Sequence, residues 1–215
     1  MSQSVSSLTT IVVSRNKSCH VKTLHSLLRL NLCCMHKNVS QNIVFVNDDP
    51  FDRAETIMKY IKATDKLLFI DYSVYIDNDS LEKLFMNFDG FHCLVLPCVK
   101  EGINWEKFKT NKTDEPCSQV ALEFDTQLGQ KISDSLYRVT STEPRCWIAE
   151  CKHVLRCLRE RKGESLKIPA KNAEIFKRFI ERGVKICAYT ACKLTVTYPH
   201  ECLSNILESA GVKSQ

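Results

Sequence analysis

Glycine is scarce in this chain, at six residues in 215. None of the six falls in a G-x-x-x-x-G-K-[ST] loop or a G-x-G-x-x-G turn, so a glycine-rich phosphate cradle is excluded. A phosphate-bearing ligand would instead need side-chain cations, helix N-termini or a metal held by carboxylates. Long apolar runs are missing too. No stretch approaches the roughly 20 residues that cross a bilayer, so no transmembrane segment is expected. Met1 to Thr10 is polar and lacks the basic-then-apolar order of a signal peptide, which makes a cytoplasmic location the expectation. The twelve cysteines are scattered and none forms a Cys-x-x-Cys pair, which favours reduced thiols over a disulfide framework.

What is present is ordinary in amount and uneven in placement. Apolar residues make up 44% and charged residues 26%, as in a soluble globular protein with one substantial core. Residues 1–149 carry 17 Lys+Arg against 18 Asp+Glu, whereas residues 150–215 carry 13 against 7. A basic C-terminal third suits phosphates, nucleic acid or an anionic surface, and equally a solvated helical face. No nucleic-acid motif accompanies it, so nucleic acid is not an expected partner.

The most informative stretch runs from Asp65 to Phe85. Leu67-Leu68-Phe69-Ile70 is a continuous apolar run ending at Asp71, the pattern of a strand buried on both faces. Leu81, Leu84, Phe85 and Phe88 then recur at helical spacing, with Asn78 or Asp79 placed to cap and Glu82 in capping-box position after Asp79. Asp71 is thus expected at the carboxyl end of an interior strand, where open α/β sheets bind ligands.

Before it, Leu8 to Ser14 reads as a strand, and Val21, Leu24, Leu28, Leu32 and Met35 mark one face of a helix. Ile43 to Val46 reads as a second buried strand ending at Asn47-Asp48-Asp49-Pro50, followed by a helix through Ala54, Ile57, Met58 and Ile61. Cys93 to Leu96 gives a fourth strand. This alternation implies right-handed crossovers and a mainly parallel sheet. Asp48, Asp49 and Asp71, with Asp77 nearby, gather at one end of it. Turn and cap chemistry accounts for any one of these acids, but acids at the same end of separate strands also suit a ligand site.

From Lys100 to Thr142 the pattern reads as irregular and polar, with Trp105 either a stacking platform or a core-edge residue and Tyr137 to Thr140 a strand. Trp147 to Arg161 reads as a helix closed by Gly163. A helix through Ile175, Phe176, Phe179 and Ile180 is capped by Gly183, and a strand through Val184 and Ile186 follows. Tyr198-Pro199-His200-Glu201 precedes a terminal helix through Leu203, Ile206 and Leu207.

In this order of elements the chain resembles the GT-A class of nucleotide-sugar glycosyltransferases, and in particular small glycosyltransferases of large DNA viruses. Phe69-Ile70-Asp71-Tyr72-Ser73 is similar to the strand that ends in Asp-x-Asp in that class, with Ser73 in place of the second acid. Counting back from Gly183, Arg178 and Glu174-Ile175 are similar to a second signature, Glu-Asp-x-Asp-Leu-x-x-Arg. Its leading acids fall here on Lys171-Asn172.

The resemblance implies a single α/β GT-A-like domain over 1–215, with a nucleotide-binding half at 1–98 and an acceptor half at 99–215. It implies a nucleoside diphosphate sugar as donor and a glycan or glycoprotein as acceptor. The donor would meet Ser14, Arg15, Asp48, Asp49, Asp71, Tyr72 and Arg178. A divalent metal, Mn²⁺ or Mg²⁺, would lie at Asp71, Ser73 and His200. Glu174 would stand in for the missing base. The expected activity is hexosyl transfer to a glycan hydroxyl, and a non-catalytic module that binds a nucleotide sugar or a protein partner is the alternative.

Overall fold

The computed structural model describes residues 7–100, 104–110, 122–158 and 167–197. In chain order the elements are β1 (Ser7–Ser14), α1 (Val21–His36), β2 (Ser40–Asn47), α2 (Pro50–Ile61), β3 (Lys66–Ile70), β4 (Val74–Ile76), α3 (Asn78–Lys83) and β5 (Cys93–Val95). There follow α4 (Trp105–Thr110), β6 (Thr126–Ser133), β7 (Leu136–Thr142), β8 (Cys146–Glu150), α5 (Cys151–Leu158), α6 (Asn172–Glu181), β9 (Ile186–Tyr189) and β10 (Leu194–Val196).

Eight strands form one sheet in the order β2-β1-β3-β8-β5-β9-β7-β6, and β4 pairs with β10 in a separate ribbon. Six of the eight point the same way, and β7 and β8 run against them. Alternate residues of β1, β3, β5 and β8 feed two cores, one on each face. Leu8, Val12, Leu68, Ile70, Leu94 and Ile148 pack with α1 and α3. Ile11, Val13, Phe69, Val95 and Trp147 pack with α2, α5 and α6 on the other face. Both faces being covered explains why these strands read as unbroken apolar runs.

Several expectations are corrected. Trp147 to Glu150 belongs to strand β8, and the helix begins only at Cys151. Trp147 stacks on Phe69 at 5.7 Å between ring centroids and meets Phe176 edge-on at 5.4 Å, which holds that segment in the sheet. Residues 159–166, with Gly163, lie outside the described residues.

The second strand, β2, is an edge strand, and only Val46 in it is buried. Residues 126–133, read as irregular, form β6 at the opposite edge, where a polar strand shows no apolar signal. Trp105 opens the short helix α4 within the segment read as a loop. The helix after β4 is capped by Asp77, which accepts from the Ser80 N–H at 3.0 Å. Pairing with β10 keeps the backbone extended through Ile76, and Asp77 is the first residue free to serve as a cap.

The α1 stripe Val21, Leu24, Leu28, Leu32 and Met35 faces outward among the described residues. Thr23, Ser26, Leu27, Leu30 and Cys34 face inward. The inward hydroxyls are matched to backbone groups: Thr23 Oγ1 donates to Val74 O at 2.8 Å, and Ser26 Oγ accepts from the Ile76 N–H at 3.0 Å. These bonds satisfy the edge of β4 that no strand covers. The expected cap at Gly183 is found, with φ +77 after α6.

At the amino end of β5, His92 Nδ1 accepts from the Lys185 N–H at 3.2 Å, and its ring stacks on His153 at 5.3 Å. Burial first, then the positive charges of His153, Lys185, Arg138 and Arg156, hold its pKa below the ordinary value. The folded chain therefore takes up this proton at lower pH than the unfolded chain does. Stability from this group is intact above about pH 6.5 and is lost as pH falls from there through the lower native pKa. Urea melts across this range should show that loss, and His92→Gln should flatten it. An unchanged slope in the variant would assign the acid loss elsewhere.

Candidate functional site

The carboxyl ends of β1, β2 and β3 lie side by side, and each is followed by a charged residue. Arg15 follows β1 and donates from Nε to Asp48 Oδ2 at 2.6 Å, while Arg53 Nη1 on α2 lies 3.4 Å from Asp48 Oδ1. The Arg15 guanidinium also sits 4.9 Å above the Tyr72 ring. Ser14 serves the scaffold: its hydroxyl donates to Val46 O, and its carbonyl accepts from the Asp48 N–H. Asp49 caps α2 and accepts from the N–H groups of Phe51 and Asp52.

Asp71 meets a partner that approaches from β8. Arg145 Nε donates to Asp71 Oδ2 at 3.0 Å, and Arg145 Nη2 donates to Tyr72 O at 2.8 Å. Asp71 and Arg145 keep only 13% and 8% of their side-chain surface in solvent, so this is a buried ion pair. The Asp71 N–H in turn donates to Arg145 O. The Arg145 N–H donates to Asp125 Oδ2, and Asp125 Oδ1 accepts from the Cys98 N–H and the Thr126 hydroxyl. Burial pushes the Asp125 carboxyl up from its ordinary pKa, while its three donors and Arg145 pull the other way. Burial and the charge of Asp125 push the neighbouring Cys98 thiol up to about 12, so it is no thiolate nucleophile.

Part of this network lines a cleft of about 470 Å³, whose wall includes Arg15, Asp48, Arg53, Asp71, Lys100, Asp125, Glu143, Arg145 and Lys171. A second cleft of about 380 Å³ adjoins it, lined by Phe124, Gln127, Thr140, Ser141, Lys177 and Glu181 and sharing Lys100, Asp125 and Glu143 with the first. Among the described residues, three buried polar atoms on the first wall have no hydrogen-bond partner: Asp71 Oδ1, Arg145 Nη1 and Arg53 Nε. Such atoms are uncommon in folded proteins, and all three belong to residues that line the cleft.

Of the residues singled out in the sequence, Arg15, Asp48 and Asp71 meet on the wall of the first cleft, with Tyr72 touching both Arg15 and Arg145. Ser14 and Asp49 stand beside them as scaffold and cap. Glu174 does not line either cleft; it is exposed, 4.0 Å from Lys171. Arg178 donates from Nη1 to Lys167 O at 2.7 Å and likewise does not line the clefts. His200 lies outside the described residues.

Sequence reading missed Arg53, Arg145, Asp125 and Glu143. Arg145 and Glu143 flank Pro144 in the unassigned residues just before the segment read as helix, and Asp125 sits where the pattern was weak. The signal available for Arg145 was its place just before the fully apolar Cys146 to Ala149.

A divalent metal is implied by the fold class, and the described residues do not fit one. One oxygen of Asp71 is taken by a guanidinium fixed at two further points. Ser73 has φ +60, its side chain is buried, and it does not line the cleft. Among the described residues no three His, Cys, Asp or Glu side chains are grouped to hold a metal ion. Hard divalent cations prefer several oxygen ligands, and of the described residues expected to hold one, Asp71 keeps one unpaired oxygen beside a fixed positive charge and Ser73 does not reach the cleft.

No family model matches the chain, and no curated protein sequence matches it either. Solved structures do match. GalNAc-T7 with UDP, GalNAc and Mn²⁺ aligns with TM-score 0.52 and 11% identity over 92% of this chain and 45% of that one. A Drosophila β-1,4-galactosyltransferase 7 mutant with manganese, UDP-Gal and xylobiose gives TM-score 0.47 and 13% identity over 94% of this chain and 74% of that one. The inositol-1-phosphate CTP transferase of T. maritima gives 0.48 and 8% over 99% of each chain. At such identities the likeness speaks to fold, and the fold is α/β of GT-A-like type.

Proposed function

We propose that this chain transfers a hexose from a nucleoside diphosphate sugar to a glycan hydroxyl. The observation that carries the reading is the first cleft itself, where Arg15, Arg53 and Arg145 converge with Asp71 at the carboxyl ends of the first three strands. Fixed guanidinium groups match phosphate oxygens in charge and geometry, and strand ends are where this fold class places its ligand. The donor occupies this cleft. The acceptor lies in the adjoining one, where Phe124 offers an apolar face and Thr140 and Ser141 offer hydroxyls. The halves at 1–98 and 99–215 divide the work less cleanly than their order suggests, because Arg145 and Asp125 of the second half enter the donor cleft.

Glu143 is the carboxylate that fits the role of base. It is exposed, it borders both clefts, and among the described residues it is neither ion-paired like Asp71 nor held by three donors like Asp125. It would take the proton of the acceptor hydroxyl as that oxygen bonds to the anomeric carbon, and the nucleoside diphosphate would depart. No step is assigned to a metal.

Donor hydrolysis and transfer to glycan acceptors test this with UDP and GDP sugars. Glu143→Gln should lower turnover by roughly a hundredfold while leaving donor affinity within a factor of two. Asp71→Asn should weaken donor binding itself. Donor binding without turnover in the native chain would instead support the non-catalytic module, a reading favoured by the engagement of both buried carboxylates. No binding of any nucleotide sugar would remove the transfer reading and leave only a module for a protein partner.

A further inference from the structure

We infer that this chain binds the diphosphate of its donor without a divalent metal, through Arg145 and Arg53. The inference rests on the nucleotide-sugar reading above and adds what holds the anion.

The unsatisfied groups on the cleft wall decide the matter. Two of the three are N–H donors on permanently charged guanidinium groups, Arg145 Nη1 and Arg53 Nε. A metal ion offers such donors nothing; an anionic oxygen satisfies them. Arg145 is nine-tenths buried and fixed at its Nε, its Nη2 and its backbone N–H. Its remaining nitrogen is held in place before any ligand arrives. Arg53 is steadied by Asp48 and keeps 16% of its side-chain surface in solvent.

The same guanidinium occupies one of the two oxygens of Asp71 and sets its positive charge beside the other. A cation entering beside Asp71 would have to lie next to Arg145 or expel it from its anchors. Either route opposes metal entry, because like charges in a desolvated setting repel strongly. Arg145 therefore supplies from within the chain the positive charge that a bound ion would bring. The third unsatisfied atom, Asp71 Oδ1, is an acceptor, and a donor hydroxyl can complete it.

The test is calorimetry with UDP, UDP and GDP sugars, and inorganic pyrophosphate, each in EDTA and in Mn²⁺. Affinity is expected to agree within about a factor of two between the two conditions. Losing a charged hydrogen bond to phosphate should weaken binding by roughly tenfold or more in Arg53→Gln and Arg145→Lys. Arg53→Gln keeps the test open if Arg145→Lys does not fold, which a thermal melt reports. Nucleotide binding that appears only with Mn²⁺ overturns the inference and leaves the donor reading standing. Pyrophosphate binding in EDTA with no affinity for any nucleotide overturns the donor reading. Unchanged affinity in Arg53→Gln, and in Arg145→Lys where it folds, overturns the assignment of the two arginines.

Discussion

Asp71→Ala should cost about 3–5 kcal/mol of folding stability, the usual penalty for breaking one side of a buried ion pair. The loss comes less from the missing attraction than from what remains. The Arg145 guanidinium would stay desolvated with its Nε unpaired, and it cannot lose its proton to escape. Its other anchors, Tyr72 O and the Asp125 network, hold it there instead of releasing it to water. Asp71→Asn should cost less, because the amide oxygen still accepts from Nε. The double variant Asp71→Leu with Arg145→Met should recover most of the stability, since a buried pair replaced by apolar groups of similar volume is often neutral. Urea denaturation of the native chain, Asp71→Leu, Arg145→Met and the double variant closes the cycle. A single-variant loss under about 1 kcal/mol would mean that the pair behaves as a surface bridge.

Trp147→Ala should be comparably destabilising, by about 3–5 kcal/mol, through the cavity it leaves. Trp147 is fully buried on β8 and touches three other rings, Phe69 on β3 and Phe176 and Phe179 on α6. The indole therefore joins the central strand to the helix that covers it. Because β8 also carries Arg145 at its entry, the variant should weaken donor binding as well, without touching the ligand. Trp147→Phe should recover part of both. Full donor affinity in a destabilised Trp147→Ala would separate the core from the site.

The strands of the first half were legible because burial on both faces leaves continuous apolar runs, as in Leu67 to Ile70. Asp71 could be placed at a strand end for the same reason. The outward stripe on α1 was misleading because hydroxyls of Thr23 and Ser26 are buried by hydrogen bonding, which periodicity does not register. Trp147 to Glu150 carries apolar residues that suit helix and strand alike, and partners distant in sequence decided between them. Arg145 was hidden with that segment. No local pattern announces that a carboxylate will be met by a cation from so far along the chain.

The insertion of β8 between β3 and β5 has a consequence for how the chain is made. On the ribosome β3 emerges about 80 residues before the strand that covers its open edge. Until then its fully buried apolar residues border an unpaired ladder, and β5 lacks both neighbours, β8 and the still later β9. Pairings this distant are slow to close, and an open apolar edge recruits other chains meanwhile. A nascent chain halted just before Cys146 should therefore be the form most prone to aggregate, and release of β8 the step that ends the exposure.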